Sequence, residues 1–174
     1  MLAGYVRLIV FAIGLLVGVQ VPSFVDQYAK RVSAHQIEVA GNFRGFQDTA
    51  DHYFGGSVEA LITHHAASDD RVFQDEAKTI REMYDRLLAL SAELAALRGP
   101  LIAQVIHIVS HPNRAILDET RSAYTYTVPL NSSGIISGVT LGACLAILVE
   151  SSMLGVVRLV RPRRTRHQIA QSRL

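Results

Sequence analysis

Two long stretches without charged residues constrain the fold more than any other feature of this sequence. Residues 8–25 contain no charged side chain, and residues 130–157 contain only Glu150. A helix needs about 20 apolar residues to cross the hydrocarbon core of a bilayer, and only these two stretches reach that length. Just 18% of all residues are charged, against about a quarter in a typical soluble domain. The sequence therefore predicts an integral membrane protein with two transmembrane helices.

The two stretches divide the chain into four predicted segments. These are a first transmembrane helix (1–25), a helical domain (26–130), a second transmembrane helix (131–157) and an arginine-rich tail (158–174). A cleaved signal peptide is the alternative for the first segment, but residues 20–24 offer no small-x-small cleavage site and residues 32–34 lie too far downstream. We therefore favour an uncleaved signal anchor. The single cysteine, Cys144, lies in the second stretch, so we expect no disulfide.

Charge predicts the orientation of the chain. The segment 26–132 carries ten Lys/Arg and fourteen Asp/Glu, a net charge of 10 − 14 = −4. The tail has no acidic residue, and its arginines near the second stretch are Arg158, Arg161, Arg163, Arg164 and Arg166. Positive residues beside a transmembrane helix stay in the cytoplasm. We expect both termini to be cytoplasmic and the central domain periplasmic, in a bacterial inner membrane.

The same arginines predict contact with anionic lipid headgroups. A nucleic-acid partner is disfavoured, because no aromatic residue lies among the arginines to stack on bases.

Small residues predict where the two transmembrane helices pack. In lipid, helices associate where small side chains allow the backbones to approach closely. The small residues of the second stretch recur every four positions, at Gly134, Gly138, Gly142 and Ala146, and the first stretch has Gly14 and Gly18. Counted from the outer ends of antiparallel helices, Gly18 lies near Gly138 and Gly14 near Gly142. The stripe is equally suited to a contact between copies of the chain.

Arg7 and Glu150 are predicted to pair within the membrane. Each lies eighteen residues from the outer end of its helix, counted from Val25 and Ser132, so they reach a similar depth. An ionised group in a transmembrane helix is costly unless it is paired or reaches water. Two alternatives stay open: Glu150 reaches the headgroups alone, or it serves as a proton or ion site.

The central domain is predicted to be an antiparallel helical hairpin or coiled-coil bundle, so that the whole protein is all-α. One seven-residue repeat comprises Val25, Val32, Val39, Phe46 and Tyr53; the other comprises Phe73, Ile80, Leu87 and Leu94. Two such helices joined by a short connection favour a hairpin.

Glycine, proline and polar residues mark the predicted helix ends in this domain. We expect Ser23 to cap the helix that follows the first transmembrane stretch, with Pro22 at the joint, and Gly55-Gly56 to end that helix. Ser57 then caps a short helix, Asp69 or Asp70 caps the second long helix, and Gly99-Pro100 ends it.

Two shorter segments follow. Residues 100–111 are apolar on one face and suit either the bundle core or an interfacial helix on the membrane; we favour a mixed role. A last helix is expected over 113–124, and Tyr124 and Tyr126 lie where an aromatic belt is expected.

The sequence shows no convincing chemical site. His107 and His111 have metal-ligand spacing but lack a third ligand, and His64-His65 with Asp69 and Asp70 fits a polar turn with a helix cap better than a metal site. No nucleophile elbow, phosphate-binding loop or CxxC motif is present. We therefore predict that the protein is not an enzyme and needs no cofactor.

Several segments resemble one family. They are GLLVGVQVPSFVDQY (14–28), FQDTAD (46–51), YFGG (53–56), LAAL (94–97) with Gly99-Pro100, and 124–129. The chain resembles an uncharacterised family of two-span proteobacterial membrane proteins, domain of unknown function 2937, over nearly its whole length except the tail. The resemblance implies the topology and a bacterial origin, and it implies no activity and no catalytic residue.

Three functional classes follow from these features. The favoured class is a structural or accessory membrane protein whose periplasmic hairpin binds a protein partner or a second copy. The second is a sensor or regulator, which would need a partner because the tail is too short for an output domain. The third is a subunit of an oligomeric transporter or channel, with Glu150 along the path.

Overall fold

The computed structural model describes residues 2–125 and 132–160, with side chains from 4 to 125 and from 132 to 152. Within that part of the chain there are six helices and no strand, which confirms the predicted all-α class. The helices are α1 (Leu2–Tyr53), α2 (Val58–Ala66), α3 (Arg71–Ala96), α4 (Leu101–Ser110), α5 (Arg114–Ser122) and α6 (Ser132–Val160).

Most helix ends lie where the sequence predicts them. Gly55 and Gly56 end α1 with φ of +58° and +84°, a left-handed conformation that glycine adopts without steric cost. Ser57, Asp70 and Asn113 cap α2, α3 and α5, and each side chain accepts a hydrogen bond from a backbone N–H of the first helical turn. These caps satisfy backbone donors that have no partner inside the helix.

The expectation that Ser23 caps a new helix is wrong. Both Pro22 and Ser23 lie inside α1, which continues unbroken from Leu2 to Tyr53. A proline inside a helix removes one backbone hydrogen bond, here the bond to the carbonyl of residue 18. The residues that follow Pro22 enter the core of the chain from buried Val25 onward.

The chain divides into two compact units. Among the described residues, one comprises 2–20 and 132–160, and the other comprises 21–125. We call them the two-helix unit, formed by the first part of α1 with α6, and the helical domain, formed by the rest of α1 with α2–α5.

The core of the helical domain consists of two clusters of buried side chains. In the first cluster, the beginning of this part of α1 (Val25, Tyr28, Val32, Val39) packs with the end of α3 (Leu90, Leu97) and with Ile108, Ile116 and Leu117. In the second, the end of α1 (Phe43, Ala50) packs with the beginning of α3 (Ala77, Ile80) and with Val58, Leu61 and Ile62 of α2. Because the order along α1 is opposite to the order along α3, these two helices run antiparallel.

Candidate functional site

Four glycines make close backbone contacts in the two-helix unit. A Cβ atom on Gly14 would lie 2.8 Å from the Cα of Gly142, and one on Gly18 would lie 2.8 Å from the Cα of Gly138 and 2.7 Å from the carbonyl oxygen of Ser137. These distances are shorter than real Cβ contacts, and the atoms concerned belong to the backbone, which cannot rotate away. The structure thus places Gly14 against Gly142 and Gly18 against Gly138.

The glycines of α6 lie as close to the backbone of α1 as the glycines of α1 lie to the backbone of α6. A Cβ atom on Gly142 would lie 2.8 Å from the carbonyl oxygen of Phe11, and one on Gly138 would lie 2.9 Å from the carbonyl oxygen of Leu15. The other members of the predicted stripe differ: Gly134 is buried and Ala146 is half-buried. We call the contact of Gly14, Gly18, Gly138 and Gly142 the glycine crossing.

The structure also brings Arg7 and Glu150 together. Nη1 of Arg7 lies 3.4 Å from Oε2 of Glu150, and the two side chains are 56% and 52% exposed. The separation is that of a direct ion pair, without an intervening water molecule. A partly exposed pair of this kind is worth little as an ion pair in water, but in an apolar surrounding each charge needs its partner. Its role as an intramembrane pair stays a prediction.

The outward faces of α1 and α6 are apolar. In the most apolar part of each helix, only 28% of the residues of α1 and 22% of those of α6 are buried. A core helix of a soluble protein would be mostly buried. Exposed apolar side chains include Leu8, Ile9, Ile13, Leu16 and Val17 on α1 and Ile135, Ile136, Val139, Ile147 and Leu148 on α6. Both helices are long and apolar enough to cross a membrane.

A polar cluster lies inside the helical domain. The hydroxyl of Tyr28, whose side chain is fully buried, donates to Oε1 of Glu93 at 2.5 Å and accepts from the backbone N–H of Asn113 at 2.9 Å. Nε2 of His107 lies 3.0 Å from the same Glu93 oxygen, although without hydrogen-bond geometry. Burial, followed by the hydrogen bond to Glu93, raises the pKa of Tyr28, so the phenol keeps its proton and remains a donor.

Sequence reasoning missed this cluster. It noted only the four-residue spacing of His107 and His111 and disfavoured a metal site there. The structure directs His107 toward Glu93, and Nδ1 of His111 lies 2.9 Å from Oγ of Ser110. The sequence does contain a signal for a polar contact in the core. Tyr28 and Glu93, a phenol and a carboxylate, each lie beside the apolar row of a predicted helix. Their partnership depends on the helix pairing, since 65 residues separate them.

A partly exposed ionic cluster joins α5 to α1. Nε2 of His35 lies 2.8 Å from Oε2 of Glu119, and Nε of Arg31 lies 3.4 Å from Oε1 of the same carboxylate. The hydrogen bond from His35, with the nearby charge of Arg31, holds the pKa of Glu119 below its usual range. This cluster also lay outside the sequence prediction.

Replacing Glu119 by glutamine is expected to reduce the amount of stability that the protein loses as the pH falls. Because the folded-state pKa of Glu119 is depressed, its contribution is present above the unfolded value and is lost as the pH falls through the folded-state pKa. The measurement is the urea midpoint of the full chain in detergent at a series of pH values from about 6 to 3, a window around the ordinary carboxyl pKa.

The matched control for this prediction is Asp118→Asn. Asp118 is the neighbouring carboxylate and is 75% exposed, and among the described residues it pairs only within its own helix, with Arg121. Its replacement should leave the acid dependence unchanged. An equally steep acid loss in Glu119→Gln and in the wild type would contradict the role of the cross-helix cluster.

The His64-His65 segment forms part of a surface at the turn between α2 and α3. Asp70 caps α3, as the simpler interpretation of this segment expects, while Nδ1 of His65 lies 3.4 Å from Oε2 of Glu76. Four rings form a row of successive contacts. The centroid distances are 5.4 Å between Phe54 and His64, 6.2 Å between His64 and His65, and 5.4 Å between His65 and Phe73. We define the tip surface as Tyr53, Phe54, His64, His65, Val72 and Phe73.

Apolar side chains of the tip surface are exposed to solvent. Tyr53 and Val72 are each 72% exposed, and Phe73 is 46% exposed. Tyr53 and Phe73 are terminal members of the two seven-residue repeats, whose inner members Val32 and Ile80 are fully buried. The apolar rows therefore extend beyond the region in which α1 and α3 cover each other.

No group of three or more His, Cys, Asp or Glu side chains that could hold a metal ion occurs within residues 2–125 and 132–160. The absence of a catalytic activity and of a cofactor stays a prediction. Of the predicted headgroup contacts, Arg158 lies in α6 by its backbone, but its side chain is not described, and Arg161, Arg163, Arg164 and Arg166 lie outside the described residues. Tyr126 of the expected aromatic belt lies outside them too.

The fold and the glycine crossing define an all-helical protein whose two apolar helices suggest a membrane protein. The chain belongs to the family described as "Protein of unknown function (DUF2937)", whose model matches residues 2–162. No curated protein matches the chain, and no solved structure matches it.

Proposed function

We propose that this protein is an accessory membrane protein that holds a helical hairpin at the membrane and uses the tip surface to bind a protein partner. The observation that carries the proposal is the exposure of aromatic and apolar side chains at the end of two repeats whose other members are buried or half-buried. Aromatic side chains are enriched in protein interfaces, and an exposed apolar patch needs an explanation of this kind.

The glycine crossing supports a permanent two-helix anchor. A signal peptide that is removed has no need of a close backbone fit to another helix, whereas Gly14 and Gly18 of α1 each contact a glycine of α6. The fit therefore favours retention of the first helix as a signal anchor.

Charge supports the location that we propose for each part of the chain. The arginine-rich tail favours a cytoplasmic C-terminus, and two transmembrane helices then put the N-terminus on the same side. The helical domain would lie in the periplasm of a bacterium, with the protein in the inner membrane. The tail arginines would contact anionic headgroups there.

The tip surface is expected to crosslink to a partner in native membranes. The photoreactive residue p-benzoylphenylalanine is introduced at Tyr53 or at Phe73 and irradiated in cells. We expect one discrete adduct from both positions, because both belong to the same surface. The measurement is the mass of each adduct on denaturing gels, followed by identification of the attached chain by mass spectrometry.

Ile37 and Leu88 are matched control positions. They are 66% and 50% exposed and lie on the same two helices, α1 and α3, away from the tip surface. Adducts from all four positions alike, or from none, would contradict the proposal. An adduct of twice the chain mass would identify a second copy as the partner.

The transporter and sensor classes have weaker support. The Glu150 carboxylate lies at ion-pair distance from Arg7, and a neutralised carboxylate is less suited to carrying ions. A sensor would require an output partner, so the same crosslinking experiment identifies the chain through which it would signal.

A further inference from the structure

Helix α4 has two apolar faces, of which the helical domain covers one. Ile108 is buried in the first core cluster, and Leu101 and Val105 pack against that cluster. On another face, Ile102, Ile106 and Val109 are 75%, 61% and 79% exposed. Their spacing of four and three residues puts these three side chains together on one side of the helix. We call them the outer face of α4.

The chain on either side of the outer face contains no acidic residue. Residues 94–117 contain no Asp or Glu, although the segment between the apolar stretches has a net charge of −4. Arg98 and Arg114 stand before and after α4, and both are exposed. An apolar helix face with basic residues at its ends has the features of helices that bind a lipid surface.

We propose that the outer face of α4 rests on the bilayer surface, inserting Ile102, Ile106 and Val109 among the lipids while Arg98 and Arg114 contact anionic headgroups. The proposal goes beyond the binding of a protein partner and concerns a different surface. It rests on the presence of the two apolar helices in a bilayer, because they keep the helical domain at a high effective concentration near lipid.

The chemistry of the outer face favours lipid over a protein. Its three members are aliphatic, with no aromatic, methionine or arginine side chain among them, whereas protein interfaces are enriched in those residue types. His107, the ionisable residue within α4, is directed toward Glu93 in the domain core. Insertion of the outer face therefore requires no burial of a charge in lipid.

The test measures contact between lipid and a fluorescent probe on the outer face. In a Cys144→Ser background, which removes the exposed native thiol, Ile106→Cys is labelled with an environment-sensitive dye. The full chain is then placed at one copy per lipid nanodisc of phosphatidylcholine and phosphatidylglycerol. Lipids that carry a nitroxide near the headgroup should quench this dye several-fold more strongly than the same dye at Ile37→Cys, an isoleucine of similar exposure on α1.

The contribution of the basic residues is measured in the same system. Omitting phosphatidylglycerol should weaken the quenching at position 106, and the double variant Arg98→Gln/Arg114→Gln should no longer respond to that omission. Circular dichroism and limited proteolysis of each labelled chain establish that it is folded.

Two results would overturn the proposal. Equal quenching at positions 106 and 37 in folded protein would show that the outer face has no special contact with lipid. Protection of the position 106 dye from aqueous iodide only in nanodiscs that hold two copies would show that a second copy covers the face. Neither result depends on crosslinking at the tip surface, so the two proposals fail independently.

Discussion

Replacing Gly18 by alanine is expected to destabilise the pairing of α1 with α6 by about 1–3 kcal/mol, the usual range for overpacking a well-packed contact. The added methyl group would lie 2.7 Å from the carbonyl oxygen of Ser137 and 2.8 Å from the Cα of Gly138. Neither atom can move without displacing a helix, so the whole contact must open. Alanine is the better helix former, which means that any loss of stability reports on the contact and not on α1 itself.

The measurement is SDS titration in mixed micelles, followed by energy transfer between probes on α1 and α6, because the chain has no tryptophan. Gly4→Ala is the matched control: Gly4 lies on the same helix, and no atom of the described residues lies within 4 Å of an added Cβ atom there. The control should be neutral or slightly stabilising. Equal midpoints for Gly18→Ala and the wild type would reject the glycine crossing as the contact that holds the helices.

Replacing Tyr28 by phenylalanine is expected to destabilise the helical domain by about 1–3 kcal/mol, the cost of leaving buried polar groups without partners. The change keeps the ring and removes only the hydroxyl. The backbone N–H of Asn113 then loses its acceptor, and Glu93, whose side chain is 11% exposed, loses a donor. The measurement is urea unfolding of the full chain in nanodiscs, followed by circular dichroism.

Tyr84→Phe is the control for this second prediction. The Tyr84 ring stacks on Phe43 with 5.5 Å between centroids, and its hydroxyl makes no hydrogen bond to the described residues. Its replacement should change the free energy of unfolding by less than about 0.5 kcal/mol, as substitutions away from specific interactions usually do. Similar losses in both variants would show that the Tyr28 hydroxyl contributes nothing beyond general packing.

Local chemistry explains why so much of the helix pattern could be predicted. The ends at Gly55-Gly56, Ser57 and Asn113 depend on the conformational freedom of glycine and on side-chain oxygens near the first N–H groups of a helix. Both are properties of a few adjacent residues. The exception, Ser23, has the right side chain for a cap but lies where α1 continues through Pro22.

The contacts of the helical domain were harder to predict because they join distant residues. Tyr28 meets Glu93 across 65 residues and Asn113 across 85, and nothing near Tyr28 in the sequence indicates either partner. The repeats predict which residues are apolar. They do not predict that Tyr53 and Phe73 lie outside the region in which α1 and α3 pack against each other. That depends on the length over which α1 and α3 overlap.

The sequence by itself determined the two apolar helices, the positions of most helix ends and the spacing of glycines along α1 and α6. These features depend on charge, capping chemistry and helical periodicity, which are properties of residues close together in the sequence. The tertiary structure decided which of these surfaces are covered. It placed the Tyr28 hydroxyl between Glu93 and Asn113, joined α5 to α1 through Glu119, and left the tip surface and the outer face of α4 exposed. The physical reason is that burial depends on which helices pack together, and this packing depends on contacts among core residues that are far apart in the sequence.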